Sequence, residues 1–246
     1  SVVSFGENLE SFQGPLMDKE IHELDRLLNN SESGYAVLLG GAKISDKLNL
    51  IEKLLPKVEY LMVGGGMCFT LLKALGHEIG RSLLEESFIS KAGELLNSRF
   101  GKKIILPIDF GVTDSIDSSV RENVKLDDFK NNHIGVDIGP KTVFNFRKIL
   151  KKSNNIFWNG PMGIFEKEAF SYGTKEITEI ISNSSAYTCI GGGDSVSAIN
   201  KFSDKKNFNH ISTGGGASLE YLEGKKLPGV NLSLIHISEP TRPTDI

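Results

Sequence analysis

A chain of 246 residues, 39% hydrophobic and 24% charged, with a formal net charge of −3, has the make-up of one large globular domain or two small ones and can bury a sizeable core. The slightly acidic balance leaves no basic footprint for nucleic acid, no apolar run approaches the length of a membrane span, and the first residues lack a basic-then-apolar leader. Two cysteines, Cys68 and Cys189, lie far apart at no metal or disulfide spacing, so a reduced, cytoplasmic protein is expected.

Taken in order, the chain alternates strands with helices. A short apolar run at 35–39 ends in Gly40-Gly41. In the segment ISDKLNLIEKLLPKV (44–58), Ile44, Leu48, Ile51, Leu55 and Val58 repeat at three- and four-residue steps, which predicts one helix with an apolar stripe. A second strand at 59–63 runs into Gly64, Gly65 and Gly66, and the helical MCFTLLKAL that follows is closed by Gly76, placed as a C-terminal cap. Helical spacing returns at 88–96 and a strand at 103–106. The polar, turn-rich segment 112–128 reads as a surface excursion. Helix 141–150, strand 155–158, helix 174–181, strand 187–190 with Gly191 to Gly193, and strand 210–212 before Gly214 to Gly216 complete the pattern. Strands apolar throughout are covered on both faces. The fold class predicted is therefore α/β: a doubly wound, mostly parallel six-stranded sheet with helices on both faces, Rossmann-like.

In such a sheet ligands sit beyond the carboxyl ends of the strands. Glycines there admit a ligand close to the backbone, and the following helix aims its free N–H groups at it. Four glycine turns on one edge point to an anionic ligand, phosphate above all, although any single Gly pair is as readily a tight turn. Neither familiar signature is present. No Gly-Lys-Ser or Gly-Lys-Thr occurs, and the sixth position of a dinucleotide fingerprint begun at Gly64, Gly191 or Gly214 is Phe69, Val196 or Leu219.

Charged residues cluster at the same turns. Lys43 and Lys47, four residues apart, are expected on one helix face, either to neutralise a polyphosphate or as a solvated surface pair. Asp194 follows a Gly triplet, where it can cap a helix with Ser195 beside it or hold Mg²⁺. Asn159, Pro161 and Glu166 fall at another strand end, Glu166 as a ribose acceptor or as an acid favoured at a helix start. Trp158, Phe165 and Phe170 are expected in the core and His210 packed in a strand. No histidine belongs to a triad-like constellation.

Six motifs in this order, GGAKISDK, MVGGGM, DIGPKT, WNGPMGIFE, CIGGGDS and HISTGGGASLEYLEGKKLPGV, resemble the C-terminal half of phosphoglycerate kinase, from about residue 1 to residue 230. The resemblance implies reversible phosphoryl transfer from 1,3-bisphosphoglycerate to MgADP, giving 3-phosphoglycerate and ATP, with ATP/ADP and Mg²⁺ bound by this half and phosphoglycerate by an N-terminal domain that this sequence does not supply. Carried over by motif, Lys43 and Lys47 contact the nucleotide phosphates. Gly64, Gly65, Gly135 and Val136 border the adenine with Pro161 below it, Asn159 lies near the phosphates, and Glu166 meets the ribose. Gly192, Gly193 and Ser195 complete that wall, Asp194 ligates Mg²⁺, and Thr213, Gly214 and Gly215 present N–H groups to the transferring phosphoryl. The implied division is 1–20 as the end of an N-terminal domain and hinge helix, 21–231 as the nucleotide-binding domain, and 232–246 as a tail outside the family pattern, read as artefactual. The family is usually monomeric, and this half alone is expected to be inactive. A stand-alone nucleotide-binding module without catalysis is the alternative. A nicotinamide-dependent oxidoreductase is disfavoured by the failed fingerprint.

Overall fold

The computed structural model describes residues 14–29, 34–228 and 230. Its centre is set by a strand with no wet face. All five residues of β1 (Tyr35–Leu39) are buried, with Tyr35, Val37 and Leu39 in one core and Ala36 and Leu38 in the other. Side chains that alternate across a strand impose this arrangement when both faces are covered. On one side of β1 pair β2 (Tyr60–Val63) and β3 (Ile104–Ile105). On the other side pair β7 (Asn155–Asn159), β8 (Tyr187–Gly191) and β9 (His210–Ile211). Every pairing is parallel, in the order β3-β2-β1-β7-β8-β9. All six expected strands are present in this one sheet.

Helices cover both faces, as expected. The core holding Tyr35 and Val37 takes Leu24 and Leu27 of α1 (Pro15–Asn29), Ile51 and Leu54 of α2 (Leu48–Leu54), Leu71 of α3 (Met67–Ala74), Ala92 and Leu95 of α4 (Ile89–Asn97) and Leu222 of α8 (Gly216–Leu222). The opposite core takes Phe146 of α5 (Pro140–Leu150), Ile177 and Ile181 of α6 (Tyr172–Ser182) and Ile199 of α7 (Gly193–Phe202). Trp158, Phe165 and Phe170 are buried, His210 is buried in β9, and Gly76 closes α3 at φ +87°. Among the described residues no helix is long and apolar enough to cross a membrane.

Two expectations need correction. The segment 44–58 is not one helix. The chain turns at Lys47, whose N–H donates to the Ile44 carbonyl at 2.9 Å, and α2 runs only from Leu48 to Leu54. All five stripe residues are nevertheless buried. The side chain of Glu85 holds the first turn out of the helix by accepting from Ser45 N–H at 3.0 Å and Ser45 Oγ at 2.6 Å. Although burial opposes ionisation of Glu85, these bonds keep its carboxyl below the usual value.

The polar excursion at 112–128 also proves to be structured. β4 (Asp109–Thr113), β5 (Glu122–Lys125) and β6 (Ile134–Ile138) form a three-stranded antiparallel sheet in the order β5-β4-β6. Of β5 only Val124 is buried, so an edge strand with a single inward side chain reads as loop. The small sheet is tied to the main body by Asp109. Its carboxylate accepts the N–H groups of Lys141 (2.9 Å) and Thr142 (2.7 Å) and the Thr142 hydroxyl (2.6 Å). It thus caps α5 from a distant strand, where the helix's own preceding residue, Gly139, has no side chain to offer. Replacing Asp109 with Ala leaves the buried Thr142 N–H and the part-buried Lys141 N–H without this acceptor. We expect a loss of about 2 kcal/mol in urea unfolding, with Asp109→Asn intermediate; equal midpoints for Asp109→Ala and the parent would contradict this cap.

Polar contacts dock α1. Tyr221 donates to Asp25 at 2.7 Å and Tyr187 to Glu23, while the Arg26 guanidinium lies 3.7 Å from the centre of the Tyr187 ring. Glu20 accepts from the hydroxyls of Ser212 and Ser218, and its other oxygen is 3.2 Å from His210 Nε2. Burial raises the Glu20 pKa, but the two serines and His210 outweigh it and leave the carboxyl below its ordinary value. A lowered folded-state value means stability that is fully present above the unfolded carboxylate range and is lost as pH falls from there through the folded-state value. Glu20→Gln is expected to cost about 1 kcal/mol near neutral pH, with the gap to the parent closing in acid. A gap that is flat with pH in denaturant titrations would refute the assignment.

Candidate functional site

The parallel strands turn outward in both directions from β1, so β1 and β7 flank the switch point of the sheet. Their carboxyl ends open the crevice in which ligands of such sheets bind. The loops at this point are stitched to one another by backbone. Gly40 N–H donates to Asn159 O (2.9 Å), Gly41 N–H to Pro161 O (3.0 Å) and Gly65 N–H to Met162 O (3.0 Å). Ser195, buried at the start of α7, accepts from Gly160 N–H at 2.6 Å. Its hydroxyl therefore anchors the loop after β7 instead of facing the crevice.

A cleft of about 400 Å³ opens here, lined among others by Gly65, Gly135, Val136, Pro161, Glu166 and Asp194. Six of the site residues expected from sequence are thus brought together from four separate segments. Gly135 must be bare, because a Cβ there would lie 2.0 Å from the Phe69 ring. That ring belongs to an aromatic cluster with Phe110 (5.1 Å between centroids) and Phe129 (6.0 Å) that supports the cleft. The turn carrying Glu166 is held by Lys201 of α7, which donates to the carbonyls of Phe165 (2.8 Å) and Glu166 (3.1 Å).

The remaining expected residues lie beside the cleft or behind it. Lys47 is half-buried and donates to Asn159 Oδ1, and Asn159 Nδ2 is buried with no partner among the described residues. Burial lowers the Lys47 pKa, while Asp46, Asp194 and Glu223 act to raise it. Lys43 is exposed, and because both lysines precede α2 they do not share a helix face. Gly64 lies behind the cleft against Met162. Gly192, at φ +87°, precedes the first residue of α7, Gly193, and Asp194 stands exposed in the first turn; it does not cap the helix. Glu166 occupies an exposed turn and no helix start. Thr213, Gly214 and Gly215 precede α8 at the far end of the same edge, with Thr213 N–H 3.4 Å from Glu20 Oε2.

Sequence reasoning missed the apolar lining of the cleft: Phe69, Leu83, Phe110 and Ile116. It also missed Asp137, a buried carboxyl in the wall that accepts from Gly173 N–H at 2.7 Å. Burial raises its pKa to about 7 against the pull of Gly173, Arg121 and Ile138. Its place at the head of DIGPKT, directly after Gly135 and Val136, was the available signal.

Among the described residues no group of three or more His, Cys, Asp or Glu side chains could hold a metal. A single carboxylate can nevertheless suit Mg²⁺, which takes one or two carboxylates and completes its shell with water and the phosphates of a ligand. Asp194, exposed and lining the cleft, offers such a donor.

Sheet order, switch point and glycine-walled cleft define a doubly wound α/β fold with a crevice at the carboxyl edge of its sheet. The family model described as phosphoglycerate kinase matches residues 1–225. A phosphoglycerate kinase of Salinispora arenicola is 49% identical over 232 residues, covering 94% of this chain and 58% of its own length. That of Thermus thermophilus is 45% identical over 236 residues, covering 94% and 60%. The solved phosphoglycerate kinase from Coxiella burnetii superposes with a TM-score of 0.86 at 37% identity, over 91% of this chain and 58% of that one. The one from Pyrococcus horikoshii gives 0.84 at 31% identity, over 96% and 60%. The chain belongs to the phosphoglycerate kinase family, and it spans a little under three fifths of the length of the first curated relatives it matches.

Proposed function

We propose that this chain is the nucleotide-binding half of an enzyme that transfers a phosphoryl group reversibly between 1,3-bisphosphoglycerate and MgADP, giving 3-phosphoglycerate and ATP, as a glycolytic, cytoplasmic and monomeric phosphotransferase. The observation that carries this reading is the joining of two environments at one switch point. An apolar slot walled by Gly65, Gly135, Val136 and Pro161 lies beside a polar edge holding Lys47, Asn159, Asp194 and the start of α7. A nucleoside diphosphate has the same two ends.

The base enters the slot and the ribose hydroxyls donate to Glu166. The phosphates meet Lys47, Lys43 and the N–H groups after Gly192 and Gly193, where the helix dipole favours negative charge. Mg²⁺, when bound at Asp194, neutralises the phosphate oxygens. Lys47 accompanies the phosphoryl group, and the backbone of Thr213, Gly214 and Gly215 receives its far side, so that in-line transfer proceeds by positioning and charge without a covalent intermediate. Phosphoglycerate is held by residues outside this chain, residues 21–231 form the nucleotide-binding domain, and this chain alone does not turn over.

Calorimetric titration tests the reading. We expect one saturable MgADP site, weakened without Mg²⁺, and no turnover of 3-phosphoglycerate with ATP. Absence of MgADP binding to the folded chain would overturn the proposed half-site; turnover would overturn the assignment of phosphoglycerate binding to residues elsewhere.

A further inference from the structure

The loop between β4 and β5 reaches over the cleft. Its Ile116 lines the cleft with 47% of its surface exposed, and Leu83 does so with 46% exposed. Large aliphatic side chains half in water at the mouth of a ligand-sized cleft are surface that a flat apolar ligand face would cover. The base of this hairpin is firmly fixed. Arg121 donates to Ile138 O at 3.0 Å and lies 3.5 Å from the buried Asp137 carboxyl. The tip has no comparable packing, since Val124 is the only buried residue of β5 and Val120 is 71% exposed.

Two cations from other segments hold the tip instead. Arg81, between α3 and α4, donates to the carbonyls of Asp114 and Asn132 and is itself steadied by its N–H bond to His133 O at 2.8 Å. Lys167, the residue after Glu166, donates to Ile116 O and lies 3.7 Å from Asp117. Both contacts are exposed, the kind that forms and breaks readily in water.

We infer that residues 114–118 form a strap over the cleft, latched by Arg81 and Lys167, which presses Ile116 against the base of the bound nucleotide. The inference rests on the nucleotide reading above. Arg81 and Lys167 are positioning residues. They touch backbone carbonyls of the strap, so their effect reaches the base and leaves the phosphates alone.

The test compares the parent chain, Arg81→Ala, Lys167→Ala, the double variant and Arg81→Lys against MgADP and against inorganic tripolyphosphate, which has no base. The double variant is expected to bind MgADP about tenfold more weakly, equivalent to about 1.4 kcal/mol. Its tripolyphosphate affinity should be unchanged, Arg81→Lys should recover part of the loss, and amide exchange at 114–118 should be faster even without ligand. Unchanged MgADP affinity in the double variant overturns the strap, and an equal loss for both probes shows the cations acting on phosphates instead. A parent chain that binds tripolyphosphate and not MgADP refutes the nucleotide reading itself. The latch then stands or falls on amide exchange at 114–118 in the unliganded double variant.

Discussion

Replacing Gly40 with Ala is expected to destabilise the chain by about 3 kcal/mol or more, enough to abolish soluble expression of a marginal protein. A Cβ at Gly40 would lie 2.0 Å from Pro161 O and 2.7 Å from Gly160 O, both backbone atoms. Neither can retreat cheaply. Gly40 N–H is bonded to Asn159 O, the Gly160 carbonyl takes the Trp158 indole N–H at 2.8 Å, and Gly160 N–H is held by Ser195. This glycine is required by loop-on-loop packing at the switch point, before any ligand arrives. Gly193 is the informative contrast. A Cβ there meets nothing within 4 Å and its φ is not in the left-handed region, so Gly193→Ala should be neutral or raise stability by about 0.5–1 kcal/mol. Its added methyl stands where phosphate is proposed to approach, so MgADP affinity should fall although the fold does not suffer. Urea midpoints for the two variants decide the matter. A Gly40→Ala chain as stable as its parent would show that the turns are looser than the structure has them.

The second large effect is expected at Lys47. Its ammonium is half-buried against Asn159, and Asp46, Asp194 and Glu223 sustain its charge against desolvation. Charge-assisted bonds to phosphate at such a site are strong. Lys47→Ala should weaken MgADP about 10- to 100-fold, or about 1.4–2.8 kcal/mol. The exposed Lys43 should lose far less on the same change, because solvent screens an isolated surface cation. Titration calorimetry on both variants measures the difference; equal losses would mean that the two lysines act as a diffuse pair and that the Asn159 contact contributes nothing.

The parallel sheet was legible because most of its strands are short apolar runs that lead into glycine, as β1 and β8 show. Helix limits were less so. Burial of Ile44 and Val58 extended the apparent stripe past both ends of α2, and only the distant Glu85 carboxylate explains where the helix starts. The small sheet was invisible for a related reason: β5 has one inward side chain and takes its shape from pairing with β4. At the site, glycine turns drew attention to the cleft edge but could not separate packing glycines such as Gly40 from open ones such as Gly193. Ser195 shows the same ambiguity, since its side chain serves the loop after β7. The apolar wall escaped notice because Phe69, Phe110 and Ile116 come from three unrelated stretches that only the fold brings together.

A crystal structure of the chain grown with saturating MgADP would show whether the crevice between the ends of β1 and β7 is a nucleotide site. We expect the base between Gly135 and Pro161, the ribose at Glu166, phosphates at Lys47 and the first turn of α7, and Mg²⁺ at Asp194. Nucleotide bound at any other face, or an empty crevice at saturating concentration, would contradict this.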